Sequence, residues 1–186
     1  MIMSDRPAIY VIGGTCGTGK STVAEQISRK LQESNPRIEF IEGDLLHPAG
    51  NIAKMTHGIP LTDDDRWSWL EKVADASFEK SKEAGSCIVT CSSLKKSYRD
   101  FIRNKHPQAR FQFFILYGDK SEILNRVNHR ASHFMKADMV DSQFNDLQLP
   151  ADDEQDSFVI NVTDQSVNQE VDEILAKINC RYYTID

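Results

Sequence analysis

Nine consecutive residues near the start of the chain have the types and the spacing of a loop that binds the phosphate groups of a nucleotide. They are Gly14-Thr15-Cys16-Gly17-Thr18-Gly19-Lys20-Ser21-Thr22, and they match the pattern G-x-x-x-x-G-K-[ST] at every required position. In such a loop the glycines let backbone N–H groups turn towards phosphate oxygens, while Lys20 reaches the outer phosphates. The hydroxyl group of Ser21 can hold Mg²⁺. The sequence therefore predicts a nucleotide site with a magnesium ion.

The segments on either side of this loop have the patterns that the motif requires. The apolar run Ala8 to Ile12 predicts a buried strand before it, and Ser21 to Leu31 predicts a helix after it. Four more strands are predicted along the chain, at residues 38–41, 87–91, 111–117 and 158–162. Helical patterns separate these strands. The alternation indicates an α/β fold, with a five-stranded parallel sheet and helices on both of its faces.

Short stretches of sequence predict where two helices begin and that one acidic segment is exposed. Thr62 or Asp63 is suited to cap a long helix, and Ser92 or Ser93 to cap a later one. Short polar side chains of this kind accept hydrogen bonds from the first free N–H groups of a helix. Residues 152–154 are all acidic, which predicts a solvent-exposed loop.

Length and composition restrict the class of protein. With 186 residues, 40% hydrophobic and 27% charged, the chain fits a single globular domain over residues 1–186. No apolar run approaches about 20 residues, so we expect no membrane association and a cytoplasmic location. The net charge of −6 argues against a nucleic-acid-binding surface. The cysteines lack the spacing of a disulfide framework or a zinc finger, which favours a reducing compartment; they are Cys16, Cys87, Cys91 and Cys180.

The loop motif is shared by kinases, switch GTPases and mechanical ATPases, so other residues must separate these classes. A GTPase needs the guanine-reading sequence N-K-x-D, and the pair Asn104-Lys105 is not followed by that aspartate. A mechanical ATPase usually carries an acid at the end of a strand beside the loop strand, but the third strand ends at Thr90 without one. The available acid is Asp44, after the second strand. This placement favours a small-molecule kinase.

Several further segments, taken together, follow the pattern of one kinase family. They are Gly43 to Pro48, Asn51, Lys54-Met55, Gly58, Pro60-Leu61, Asp63 to Arg66, Cys91 to Lys95, Tyr98-Arg99, Arg130, His133 to Met135, Ser142 to Phe144 and Leu147. Over roughly residues 8–175 the chain resembles the gluconate kinase (gluconokinase) family of phosphate-loop kinases. Ser68, Lys136 and Gln148 depart from the residues usual in that family. The resemblance implies an adenylate-kinase-like phosphate-loop fold and ATP-dependent phosphorylation of D-gluconate at its 6-hydroxyl group, giving 6-phospho-D-gluconate and ADP.

The resemblance also implies roles for individual residues. ATP is expected at Gly14 to Thr22 and Mg²⁺ at Ser21. The expected catalytic residues are Lys20, Asp44 and Arg130. Asp44 would orient the sugar hydroxyl or accept its proton, with a water-mediated contact to Mg²⁺ as the alternative role.

Gluconate carries a carboxylate and a row of hydroxyl groups, so its pocket needs a forked cation together with several donors and acceptors. The resemblance implies that Arg66 binds the carboxylate. His47, Lys54 and Arg99 are expected as secondary contacts beside Asp44. For His47 and Lys54, taken singly, an ordinary structural role is the alternative.

Residues from about 131 to 149 are expected to form a lid that closes over the nucleotide and excludes water. Arg126 and Arg130 are four residues apart on one helix at the root of this lid. Either can turn towards the transferred phosphate, with surface ion pairing as the alternative. The apolar contacts of the closed lid would be Phe134, Met135 and Phe144, unless these side chains pack in the core.

Other readings of the substrate and the assembly stay open. The same machinery would serve a kinase of a related hydroxy acid, for instance shikimate or another aldonate. A non-catalytic nucleotide-binding module is the alternative from another class. The oligomeric state is also open, with a homodimer as one alternative.

Two further expectations concern a metal and a thiol. His129 and His133 have a spacing that can bind zinc, but no acidic third ligand accompanies them and we expect no zinc. Cys16 lies beside Lys20 at a helix N-terminus, which favours a thiolate that is open to oxidation. Oxidation of Cys16 is then expected to weaken ATP binding; the alternative is that Cys16 is only a small residue that the loop tolerates.

Overall fold

A parallel sheet of five strands forms the centre of the computed structural model, which describes residues 6–129 and 135–180. The strands are β1 (Ala8–Gly14), β2 (Glu39–Glu42), β3 (Ser86–Thr90), β4 (Arg110–Tyr117) and β5 (Ser157–Asn161). Their order across the sheet is β2-β3-β1-β4-β5, and every neighbouring pair is parallel. The predicted strands and their parallel arrangement are therefore confirmed.

Helices cover both faces of this sheet, as predicted. They are α1 (Lys20–Gln32), α2 (Ala49–Thr56), α3 (Asp63–Ala84), α4 (Lys96–Lys105), α5 (Lys120–His129), α6 (Met135–Asp146) and α7 (Val167–Cys180), with a 3₁₀ turn over Gly43–Leu46. Side chains of β1 alternate between two cores: Ile12 packs in the core that α1 and α7 cover, and Val11 in the core that α3 and α4 cover. Among the described helices, none is long and apolar enough to cross a membrane.

Helix α3 begins where the sequence predicts. The N–H of Asp65 donates to the hydroxyl of Thr62 at 3.3 Å, and the carboxylate of Asp65 accepts from the N–H of Thr62 at 2.9 Å. This reciprocal pair is a capping box, which satisfies two N–H groups that the helix itself leaves free. It also orients α3, the helix that carries Arg66 and Trp69.

Helix α4 does not begin at Ser92 or Ser93, so that prediction is wrong. The helix starts at Lys96, and the residue before it makes no side-chain cap. The carbonyl of Ser92 accepts from the N–H of Gly14 at 2.9 Å, and Ser93 has a left-handed φ of 48°. After β3 the chain is therefore held against the phosphate loop. Because of this contact, α4 begins several residues later than predicted.

The acidic segment is also not uniformly exposed, because Glu154 is buried at 7% exposure. Its two carboxylate oxygens accept from Arg99 Nη2 at 2.6 Å and Arg99 Nε at 2.8 Å, and Arg103 Nη2 donates to the same carboxylate at 2.7 Å. Burial alone would raise the pKa of Glu154, but the hydrogen bonds from the two arginines outweigh it and lower the pKa to about 2. The ion pair therefore joins α4 to the segment before β5.

We expect Glu154→Gln to lower the free energy of unfolding by about 3 kcal/mol at neutral pH, because Arg99 stays buried without its counter-charge. Asp153→Asn, at the exposed neighbouring position, is the matched control and should change it by less than about 0.5 kcal/mol. Urea unfolding measures both variants. Equal stability of Glu154→Gln and the unaltered chain would contradict the assignment.

The same pair has a pH signature. Because the folded-state pKa of Glu154, about 2, lies below its ordinary value of 4.5, the stabilisation is complete above 4.5 and fades as the pH falls towards 2. The difference in stability between the unaltered chain and Glu154→Gln should shrink over that range.

Candidate active site

The phosphate loop lies between the end of β1 and the start of α1. Gly17 and Gly19 have φ angles of 81° and 89°, in the left-handed region that glycine adopts without a steric penalty. The ammonium group of Lys20 donates to the carbonyls of Gly14 at 3.1 Å and Thr15 at 2.9 Å, so its side chain folds back over the loop. The structure brings the predicted nucleotide-binding residues together in this turn.

Two carboxylates lie close enough to Lys20 to influence its charge. Burial lowers the pKa of Lys20, and the negative charges of Asp44 and Glu42 oppose that shift. Asp44 itself is exposed to solvent in the 3₁₀ turn. An exposed carboxylate within electrostatic range of the loop lysine is well placed to meet an acceptor hydroxyl group.

Glu42, at the end of β2, is a site residue that the sequence reasoning missed. Its Oε2 accepts from the hydroxyl of Ser21 at 2.6 Å, and its Oε1 accepts a short hydrogen bond from the hydroxyl of Thr90. Glu42 and Thr90 are register partners in the β2-β3 pair. The carboxylate that the end of β3 lacks is supplied by Glu42 of the neighbouring strand, next to Thr90. Its position at the end of a strand marks it as a candidate, but only the order of the strands shows that it reaches Ser21.

Gly43 brings this strand end close to β3. A Cβ atom at this position would lie 1.9 Å from the carbonyl oxygen of Thr90, so no other residue fits without moving the backbone. The N–H of Gly43 donates to the hydroxyl of Thr90 at 3.0 Å, and its carbonyl accepts from the indole of Trp69 at 2.8 Å. Glu42 and Asp44, on either side, are therefore held at fixed positions.

His47 is a buried, neutral side chain beside Asp44. Its ring stacks on Trp69 with centroids 4.0 Å apart. Burial lowers the pKa of His47 to about 4; the charge of Asp44 opposes this shift and that of Arg66 adds to it. His47 thus lies within electrostatic range of both groups and is uncharged at neutral pH.

The guanidinium of Arg66 is buried and already holds a carboxylate of this chain. Its Nη1 donates to Asp146 Oδ2 at 2.8 Å and to the hydroxyl of Tyr98 at 2.6 Å. The ammonium of Lys95 lies 3.8 Å from Asp146 Oδ1 and donates to Asp63 at 2.9 Å. Lys95, which the sequence reasoning gave no role, is thus a second cation beside the Asp146 carboxylate.

The other two predicted substrate contacts are engaged elsewhere. Lys54 Nζ donates to both carboxylate oxygens of Asp65 at 2.8 Å, at the start of α3. Arg99 is 0% exposed, and its five N–H groups donate to Glu154 and to the carbonyls of Ser93, Leu94 and Gln148. Every N–H group of Arg99 is therefore used within the protein, and the substrate contact predicted for Arg99 stays a prediction.

Helix α6 contacts both the phosphate loop and Arg66. Gln143 Oε1 accepts from the backbone N–H of Cys16 at 2.6 Å, and Asp146 binds Arg66 one turn later. Phe144 packs against the core that α1 covers. The helix thus places oxygen atoms on a loop N–H and on the buried guanidinium, two groups suited to bind anions.

Part of the predicted lid cannot be compared with the structure. Arg130, His133 and Phe134 lie outside the described residues, as does the side chain of Met135. Arg126, at the root of this segment, donates to Glu122 and to the carbonyl of Val162, both at 2.8 Å. The lid and the role of Arg130 remain predictions.

Comparisons with known proteins assign the chain to a family. The family model for adenylylsulphate kinase matches residues 6–140. A probable gluconokinase of Saccharomyces cerevisiae is 45% identical, over 96% of this chain and 94% of that protein. The thermosensitive gluconokinase of Escherichia coli is 41% identical, over 86% and 81%.

A solved structure agrees with these relatives. The crystal structure of a gluconokinase from Sinorhizobium meliloti superposes with a TM-score of 0.79 and 35% identity, over 96% of this chain and 98% of that one. The adenylate-kinase-like sheet and the phosphate loop agree with these relatives. Together they identify the family of this chain. The chain is an enzyme of the gluconokinase family, with a phosphate-loop domain of the adenylylsulphate kinase type.

Proposed function

We propose that this chain transfers the γ-phosphoryl group of ATP to the 6-hydroxyl group of D-gluconate, giving 6-phospho-D-gluconate and ADP. The observation that carries the proposal is the exposed carboxylate of Asp44, within electrostatic range of both Lys20 and His47. Arg66 is a buried cation suited to a carboxylate, and its charge lowers the pKa of the same His47. Asp44 suits the hydroxyl end of a sugar acid, and Arg66 suits its carboxylate end.

The transfer itself requires alignment and charge neutralisation more than covalent help from the protein. The oxygen of the sugar hydroxyl attacks the γ-phosphorus as the bond to the β-γ bridging oxygen breaks, and ADP leaves. Lys20 and the N–H groups of the loop hold the phosphates. Asp44 orients the hydroxyl group and takes its proton.

The residues beside the loop fit a magnesium ion. Mg²⁺ prefers oxygen ligands and keeps several water molecules and phosphate oxygens in its shell, so it needs few groups from the protein. Ser21 would hold it, and Glu42, which is hydrogen-bonded to that hydroxyl, would orient Ser21 and bind the water molecules of the ion. When bound, the ion neutralises charge on the phosphates of ATP.

Steady-state ADP release with a panel of acceptors tests the substrate. The purified chain with ATP and Mg²⁺ should give its highest kcat/KM with D-gluconate, compared with other aldonates, shikimate and adenylylsulphate. Preference for another member of the panel would replace the proposed acceptor. Nucleotide binding without turnover of any acceptor would favour a binding module.

The role of Asp44 predicts a large catalytic effect. Asp44→Asn should lower kcat for gluconate by about 10²- to 10⁴-fold, because it removes the proton acceptor and keeps the shape of the side chain. Asp64→Asn, at another exposed aspartate, is the control and should leave kcat unchanged. An unchanged kcat in Asp44→Asn would remove Asp44 from the mechanism.

The role of Glu42 predicts an effect on metal binding. Glu42→Gln should weaken the binding of Mn²⁺ in the presence of ADP by about 10-fold or more, measured by electron paramagnetic resonance with Mn²⁺ in place of Mg²⁺. Metal-free ADP should bind at least as well as before, because a negative charge is removed. Glu39→Gln, on the same strand but paired with Lys80, is the control. Equal changes with and without metal would contradict the proposed role.

The bond between Asp146 and Arg66 predicts competition with the substrate. If the carboxylate of gluconate binds Arg66, it must displace that of Asp146, and Asp146→Asn should lower KM for gluconate by about 10-fold with little change in kcat. Asp141→Asn, on the same helix but paired with Lys120, is the control. A raised KM in Asp146→Asn would show that Asp146 helps to bind the substrate instead.

A further inference from the structure

The ring of His47 is held in one orientation by neutral groups. It stacks on Trp69 at an interplanar angle of 15°, and Trp69 is itself fixed by its hydrogen bond to the carbonyl of Gly43. The edge of the ring is held by Asn51, whose Nδ2 lies 3.2 Å from His47 Nδ1. Both His47 and Asn51 are buried, so water does not compete for these contacts.

A second contact of Asn51 identifies which nitrogen of His47 carries the proton. Asn51 Nδ2 also lies 2.8 Å from the backbone carbonyl oxygen of Asp65. Because a carbonyl oxygen can only accept, the group that faces it is the NH₂ of the amide, which can only donate. His47 Nδ1 must then accept, and it carries no proton. A neutral imidazole with a bare Nδ1 has its proton on Nε2.

The charged groups around the ring do not disturb this state. Asp44, from the 3₁₀ turn, favours a charged imidazole, and Arg66, from α3, opposes it. Lys54 of α2 and Asp65 of α3 pair with each other. Burial is the largest influence, and the ring stays neutral well below pH 7.

We propose that Asn51 is a positioning residue that keeps His47 as the Nε2–H tautomer, so that His47 offers an N–H donor to an oxygen of the sugar acid and cannot act as the general base. The inference deepens the proposed function and rests on it, because it concerns a donor within range of Asp44 and Arg66. Proton removal is then left to Asp44.

Nitrogen-15 spectra of histidine-labelled protein test the tautomer directly. The signals of His47 are assigned by their loss in His47→Gln. We expect Nδ1 to have the shift of an unprotonated ring nitrogen and Nε2 that of a protonated one, from about pH 8 down to about pH 5, since the pKa of His47 is about 4. A proton on Nδ1 in that range would overturn the proposal. The readout needs no substrate, so it stays decisive if gluconate proves to be the wrong acceptor.

Two variants test what the donor does. His47→Gln keeps an N–H donor near the position of Nε2, whereas His47→Leu removes it. We expect kcat/KM for gluconate to be at least about 10-fold higher in His47→Gln than in His47→Leu, through a difference in KM. Equal losses in both variants would overturn the donor role.

A third variant tests the link to Asn51. Asn51→Asp replaces the amide donor with a carboxylate, which accepts from a protonated Nδ1 and raises the pKa of His47. In this variant the nitrogen-15 signals should show a protonated Nδ1, and kcat/KM for gluconate should become pH-dependent near neutrality. Unchanged spectra in a folded Asn51→Asp protein would contradict the positioning role.

Discussion

The end of β2 is tied to the end of β3 through one threonine, and the proposed chemistry depends on that contact. The hydroxyl of Thr90 accepts from the N–H of Gly43 and donates to Glu42. Because Gly43 has no side chain, the two strand ends approach more closely than any other residue would allow. This contact holds Glu42 on the serine of the phosphate loop and places Asp44 within range of Lys20. One short segment therefore supplies an acid for the proposed metal and another for the acceptor.

An acidic chain that binds anions must concentrate its positive charge inside the site. Here the net charge is −6, and the cations of the site are buried or partly buried beside carboxylates of the chain itself. Arg66 with Asp146 is the clearest case. Such pairing stabilises a buried guanidinium while no substrate is bound, since an unpaired buried charge is costly. If gluconate binds Arg66 as proposed, its affinity depends on how readily Asp146 of α6 releases that guanidinium.

Features encoded in neighbouring residues could be predicted from the sequence. The phosphate loop, the strand before it and the capping box at Thr62 each depend on contacts within a few positions. The ion pair between Arg99 and Glu154 joins residues far apart in the chain, so no local pattern in the acidic segment indicates that Glu154 is buried. Glu42 was missed for a related reason. Its contact with Ser21 depends on the strand order β2-β3-β1, which no local pattern specifies.

The most direct measurement is a crystal structure of the chain with Mg²⁺, a non-hydrolysable ATP analogue and D-gluconate. We predict that the 6-hydroxyl oxygen of gluconate lies within hydrogen-bonding distance of Asp44 and faces the terminal phosphate, while the carboxylate of gluconate lies at Arg66. A reversed gluconate, with its carboxylate at the phosphate loop, or an Asp44 side chain turned away from the hydroxyl group, would contradict this site.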